Sequence, residues 1–302
     1  MFPYLFDEWA PSPKKWFNEV FYVQSVKFYF AFVISCAVFV LSSRSLPLSE
    51  AREGEGVYIS QRTRLILTFS CAAIAFITYY VEVFLAAPMG SEDLIWQILL
   101  NGFAGYFNFL TVRSEFGLCL YWTVSSYGEY TWCRSTHARF RPRPRNRAII
   151  AAYTSAIFFA CLGSMTSALF LRFNWFDPAF QKQVIQVFEN EGNPYFKYKL
   201  LATHLNQLPI AILDICVIKQ TRVRLLARCI PSLRLLLLFC ILTTCSYLAL
   251  VKISFQVNGG SWTYPLKRAT FSSLTGELAL LVGITTFAFG VCAIFHFLAT
   301  HC

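Results

Sequence analysis

Three stretches of the chain place ionisable or hydrogen-bonding side chains inside otherwise apolar runs: Thr111 with Arg113, Ser114 and Glu115; His204 with Asn206 and Asp214; and Glu277. In hydrocarbon such groups are costly and usually face a cavity or each other. A threonine hydroxyl is a weak nucleophile until a base removes its proton, and an imidazole is the usual base at neutral pH. Thr111 and His204 each fall about one turn to a turn and a half inside the same end of their runs, so they can meet at one depth. Glu115 shares a helix face with Thr111 at i, i+4, beside Ser114. It is placed to orient the imidazole as a third member. Asn108, Ser114 and Asn206 are candidate donors to an oxyanion. Asp214 is expected to pair with Lys219 or with a base from another helix. Each residue also has a plainer reading. A membrane threonine commonly bonds its own i−4 carbonyl, a lone histidine can simply bridge two helices, and Arg113 and Glu115 can form a charge pair or reach outward.

The elements holding these residues follow from composition. Over 302 residues, 56% are hydrophobic and only 14% charged, too few charges to cover a water-facing surface. Backbone groups in a bilayer must be satisfied internally, by helices or a closed barrel. Uncharged runs of about 20 residues, rather than ten-residue alternating strands, select helices. The fold class expected is all-α, a polytopic bundle of about seven spans near 22–42, 65–87, 107–127, 148–171, 199–218, 235–252 and 276–298. The stretch before the third, from Leu94 toward Phe107, carries Asn101, Gly102 and Gly105 and reads as re-entrant or interfacial. Residues 1–60 form an N-terminal segment with one extra span, and 61–302 a six-helix unit. The first apolar stretch follows Asp7, Glu8, Lys14 and Lys15 and lacks a small-residue cleavage site, so it reads as a retained helix.

The loops 43–64, 128–147 and 219–234 hold four, six and five Lys or Arg, more than the segments that alternate with them. This places those loops in the cytosol and the N-terminus outside. The run Arg139-Phe-Arg-Pro-Arg-Pro-Arg-Asn-Arg147 is the strongest topology marker, and anionic headgroups are its expected partner. No nucleic-acid motif accompanies the +10 charge, and no nucleic-acid partner is expected. Most of the eleven cysteines lie in apolar runs as small hydrophobes. No CxxC pair or His/Cys cluster has metal spacing, so neither metal nor cofactor is expected. No GxSxG elbow, HExxH or P-loop occurs.

At these same residues the sequence resembles the family of the androgen-induced gene 1 protein and the androgen-dependent TFPI-regulating protein. The resemblance lies in Gly105-Tyr-Phe-Asn-Phe-Leu-Thr111, in Thr203-His-Leu-Asn-Gln-Leu-Pro209-Ile-Ala-Ile-Leu-Asp214, and in Gly260-Ser-Trp-Thr-Tyr-Pro265. It runs over about residues 65–298. The family has glutamate where Asp214 stands, and residues 1–60 have no counterpart. The resemblance implies a threonine-dependent membrane hydrolase of fatty acid esters of hydroxy fatty acids. It also implies Thr111 as nucleophile, His204 as base, and a site in the endoplasmic reticulum or plasma membrane. A transporter or channel with a polar path through Arg113, Glu115, His204 and Asp214 is the expected rival. A catalytically inactive regulatory protein is the third reading.

Overall fold

A computed structural model describes residues 59–80, 110–136, 147–176, 178, 185–186, 196–257 and 273–301. The expected span at 22–42, the segment between Leu94 and Phe107, Asn108, nearly all of the Arg139–Arg147 run and Gly260–Pro265 lie outside them.

The described residues are helical: α1 Gln61–Tyr80, α2 Leu110–Thr136, α3 Arg147–Phe170, α4 Phe196–Leu205, α5 Gln207–Leu213, α6 Val223–Cys229, α7 Leu233–Val257 and α8 Leu274–His301. Among the described residues, four stretches are long and apolar enough to cross a membrane: Arg147–Phe170, Leu200–Arg222, Leu233–Ile253 and Leu274–His301. The chain is therefore a multi-pass helical membrane protein by length and composition.

α2 and α3 form the most extensive helix pair, and α2 carries more of the buried polar residues than any other described helix. It packs chiefly against α1 and α3, while α3 also meets α5 and α8, and α8 lies on α7. Its buried residues run from Thr111 through Cys119, Tyr121 and Trp122 to Glu129. By contrast α7 and α8 turn large apolar side chains outward, such as Leu238, Leu242, Val282 and Ile294. Hydrocarbon accepts such faces without cost.

Two departures from the expected spans have local causes. α2 continues to Thr136, past the expected end at 127, because Gly128 and Glu129 are both accommodated by packing. A Cβ on Gly128 would stand 2.8 Å from the Ile149 amide nitrogen of α3, so only glycine lets the two backbones approach. Glu129 is neutralised by arginines from two other segments. The expected span at 199–218 is found as Leu200–Arg222, but the hydrogen-bond ladder of its helix is broken. Pro209 has no N–H to give the Leu205 carbonyl, and α4 ends at Leu205 with Asn206 between it and α5. α5 then widens into a π-helix at Asp214–Ile218, where the Lys219 N–H donates to the Asp214 carbonyl. A 3-10 turn at Gln220–Arg222 leads into α6.

Candidate functional site

α2 and the broken helix run parallel in constant register. Thr111 bonds His204, Ser114 bonds Gln207, Tyr121 bonds Asp214 and Glu129 bonds Arg222, each pair 93 residues apart. From Thr111 to Glu129 this seam covers about 27 Å at 1.5 Å per residue. It contains two polar regions. Leu118 and Ala211, level with each other by the same offset, are both buried between them.

The region at the Thr111 end of the seam, labelled outer, holds the expected pair, and the region at the Glu129 end is labelled inner. Thr111 Oγ1 and His204 Nε2 are 2.9 Å apart, with both residues buried. Thr111 is the second residue of α2, so no carbonyl of that helix precedes it by four. Ser155 and Thr123, deeper in their helices, do bond back to Ala151 and Cys119. The hydroxyl of Thr111 instead crosses to another helix.

The other imidazole nitrogen fixes the proton. His204 Nδ1 is 2.9 Å from the Leu200 carbonyl oxygen, which can only accept a hydrogen bond. Nδ1 therefore carries the hydrogen, Nε2 presents its lone pair, and the Thr111 hydroxyl donates to it. Thr203 Oγ1, 3.0 Å from Nδ1, supports the same edge. The ring is also held by Phe170, whose centroid lies 4.0 Å away, and the His204 carbonyl accepts from Ser167 of α3. This geometry is that of a hydroxyl beside a general base.

One turn below, Ser114 donates to Gln207 Oε1 at 2.9 Å. The Gln207 amide nitrogen lies 3.3 Å from both Glu115 Oε1 and the Thr203 carbonyl. Thus Ser114 and Glu115 meet Gln207, while own-helix groups hold the Nδ1 edge of the imidazole. Asn206, at the helix break, donates to Thr78 of α1. Arg113 is half-buried, with its guanidinium 5.3 Å from the Tyr247 ring centre. Glu277 sits apart, 2.7 Å from Lys252 in an ion pair between α7 and α8.

The inner region contains Asp214, which pairs with Lys219 at 3.3 Å as the sequence suggested, and also accepts from Tyr121. Lys219 donates to Ser125 at 2.9 Å and lies over the Tyr153 ring. Glu129 accepts from Arg64 and Arg222, each at 2.9 Å.

Sequence reasoning missed Gln207 and the part played by Arg64, Glu129 and Arg222. Gln207 follows His204 at the same spacing by which Ser114 follows Thr111, and that parallel spacing was the available signal. No group of three or more His, Cys, Asp or Glu suited to a metal occurs among the described residues. No protein-family model, curated protein or solved structure matches the chain.

Proposed function

We propose that the protein hydrolyses lipid esters within the bilayer, with Thr111 as nucleophile and His204 as general base. The observation that carries this reading is the 2.9 Å contact between Thr111 Oγ1 and an imidazole nitrogen left unprotonated by the Leu200 bond. The resemblance to threonine-dependent hydrolases assigns the same two residues, and branched esters of fatty and hydroxy fatty acids are the substrate class it suggests.

In this reading Oγ1 of Thr111 attacks the ester carbonyl carbon while its proton passes to His204 Nε2. The tetrahedral intermediate then collapses, the C–O bond to the alcohol breaks, and Nε2 returns the proton to the departing alkoxide. Water, deprotonated by the same nitrogen, cleaves the acyl-threonine and frees the carboxylic acid. Gln207, Ser114 and Glu115 keep α2 and the broken helix in register one turn below.

The test compares purified wild-type, Thr111→Ala and His204→Ala proteins on branched fatty-acid esters, together with labelling by a fluorophosphonate probe. Loss of turnover in both variants and loss of labelling in Thr111→Ala are expected. Activity retained by either folded variant excludes the mechanism.

A second reading, a transport path, draws on the polar seam. Glu115, Asp214, Lys219 and Glu129 are ionisable and buried along it, as a relay across the membrane would require. The Leu118–Ala211 layer divides that path. Proton or ion flux in proteoliposomes that is lost in Asp214→Asn, without any ester turnover, would favour this reading over the hydrolase.

A further inference from the structure

Among the described residues, the inner region has one more cation than it has carboxylates. Arg64, Lys219 and Arg222 face Glu129 and Asp214, and all five are buried, at 2%, 0%, 7%, 0% and 2% exposure. Lys219 and Asp214 form an ion pair at 3.3 Å, Lys219 also donates to Ser125 and Asp214 accepts from Tyr121, so each of these charges already faces an opposite one. The imbalance therefore falls on the two arginines that share Glu129. Arg64 uses Nε on Glu129 and Nη1 on Thr221. Arg222 uses Nη1, which also lies 3.5 Å from the Tyr153 hydroxyl. Arg64 Nη2 and Arg222 Nε and Nη2 are buried without a hydrogen-bond partner. Buried guanidinium N–H groups are seldom left unsatisfied, and an excess buried charge is strongly unfavourable.

A second observation falls at the same place. The backbone passes from π-helix through a turn to a 3-10 turn between Asp214 and Arg222. At Arg222 itself the backbone leaves helical geometry, with φ −131° and ψ 61°, and interrupted membrane helices frequently mark ligand sites.

We infer that Arg64 and Arg222, braced by Glu129, form a binding site for a phosphate group at the end of the bundle opposite the Thr111–His204 pair. Three donors on two planar forks match an acceptor with more than two oxygens and at least one negative charge. That is the chemistry of a phosphate mono- or diester. Arg64, Glu129 and Arg222 belong to the three basic segments 43–64, 128–147 and 219–234, which hold twelve further Lys and Arg besides Arg64, Lys219 and Arg222 to attract phosphate headgroups. The inference does not depend on the hydrolase reading.

The test uses the full chain in phosphate-free maltoside micelles. Melting temperature and tryptophan emission are followed, since the Trp132 ring lies 4.6 Å from the Arg222 guanidinium carbon. Inorganic phosphate is titrated against chloride at matched ionic strength, and dioctanoyl phosphatidate against dioctanoylglycerol. A saturable rise in melting temperature with a phosphate-bearing species is expected. If the ligand is a lipid headgroup, phosphatidate acts at a concentration at least about tenfold lower than inorganic phosphate. Equal potency would identify free phosphate. Arg222→Gln should abolish the rise. Glu129→Gln, which is nearly isosteric and leaves both forks short of an anion, should melt lower without phosphate and gain more than wild type when it is added. This opposite response keeps the test decisive if Arg222→Gln does not fold. No saturable shift in wild type from either species, or equal shifts in both variants, overturns the inference.

Discussion

The outer and inner polar regions lie on one seam between the same two segments, yet they are built in opposite ways. The outer region is mostly uncharged: one hydroxyl bonds a neutral imidazole and a second bonds an amide, each at 2.9 Å, with Glu115 as its carboxylate. The inner region is ionic, with three cations sharing two carboxylates. A neutral hydrogen bond contributes about 0.5–1.5 kcal/mol net, whereas breaking a buried ion pair from one side costs about 3–5 kcal/mol. Damage to the outer region should therefore appear in chemistry before stability, and damage to the inner region in stability first.

The largest effect expected is on turnover. Thr111→Ala or His204→Ala should lower ester hydrolysis by about 10²–10⁴-fold, as loss of a positioned proton acceptor or nucleophile does, while each costs about 1–3 kcal/mol of stability through the buried partner it strands. Steady-state assays beside thermal unfolding in the same detergent check this. A large stability loss from either variant would erase the distinction between the two regions.

Glu129→Leu comes next. It strands Arg64 and Arg222 and should destabilise the protein by about 3–5 kcal/mol, read as a lowered melting temperature or as failure to extract a monodisperse protein. A nearly neutral outcome would mean that the cluster is not the ionic anchor of this end.

A smaller effect tests whether register matters. A Cβ on Gly163 would lie 3.1 Å from Gln207 Cβ, so Gly163→Ala should push Gln207 and lower turnover by about tenfold through misplacement of the pair. Its stability cost should be about 1–2 kcal/mol. Turnover unchanged in this variant would remove Gln207 from the positioning of α2 against the broken helix.

Smallest of all, Lys252→Ala should shift stability by less than about 1 kcal/mol, because its pair with Glu277 is half open, with side chains 48% and 24% exposed and is correspondingly screened. Turnover should not change. This variant sets the baseline for a charge removed outside both regions.

Helical membrane architecture was legible in the sequence because uncharged runs such as Ala148 to Leu171 leave no other way to satisfy the backbone. The Thr111–His204 contact could be expected from equal depth in two runs of the same direction. Lys219 was one of two partners open to Asp214, and it is the π-helix that brings the two together at i, i+5. The break at Asn206 was foreshadowed by Pro209, but nothing local announces the π-helix after it, since its widening is set by how Asp214 and Lys219 meet Tyr121 and Ser125 across the seam. Arg64, Glu129 and Arg222 read as loop-flanking charges, because each lies beyond the end of an apolar run. Only the packing of three distant segments makes them one buried cluster. α2 was hard to delimit for the same reason: its polar residues are satisfied by neighbours that its own sequence does not contain.

The most direct measurement of the central claim is mass analysis of wild-type protein quenched during turnover of a branched fatty-acid ester, followed by peptide mapping. An acyl group on the Thr111 hydroxyl is predicted, absent from Thr111→Ala and from His204→Ala. Continued turnover with an unmodified Thr111, or an acyl group carried by another residue, would contradict the account.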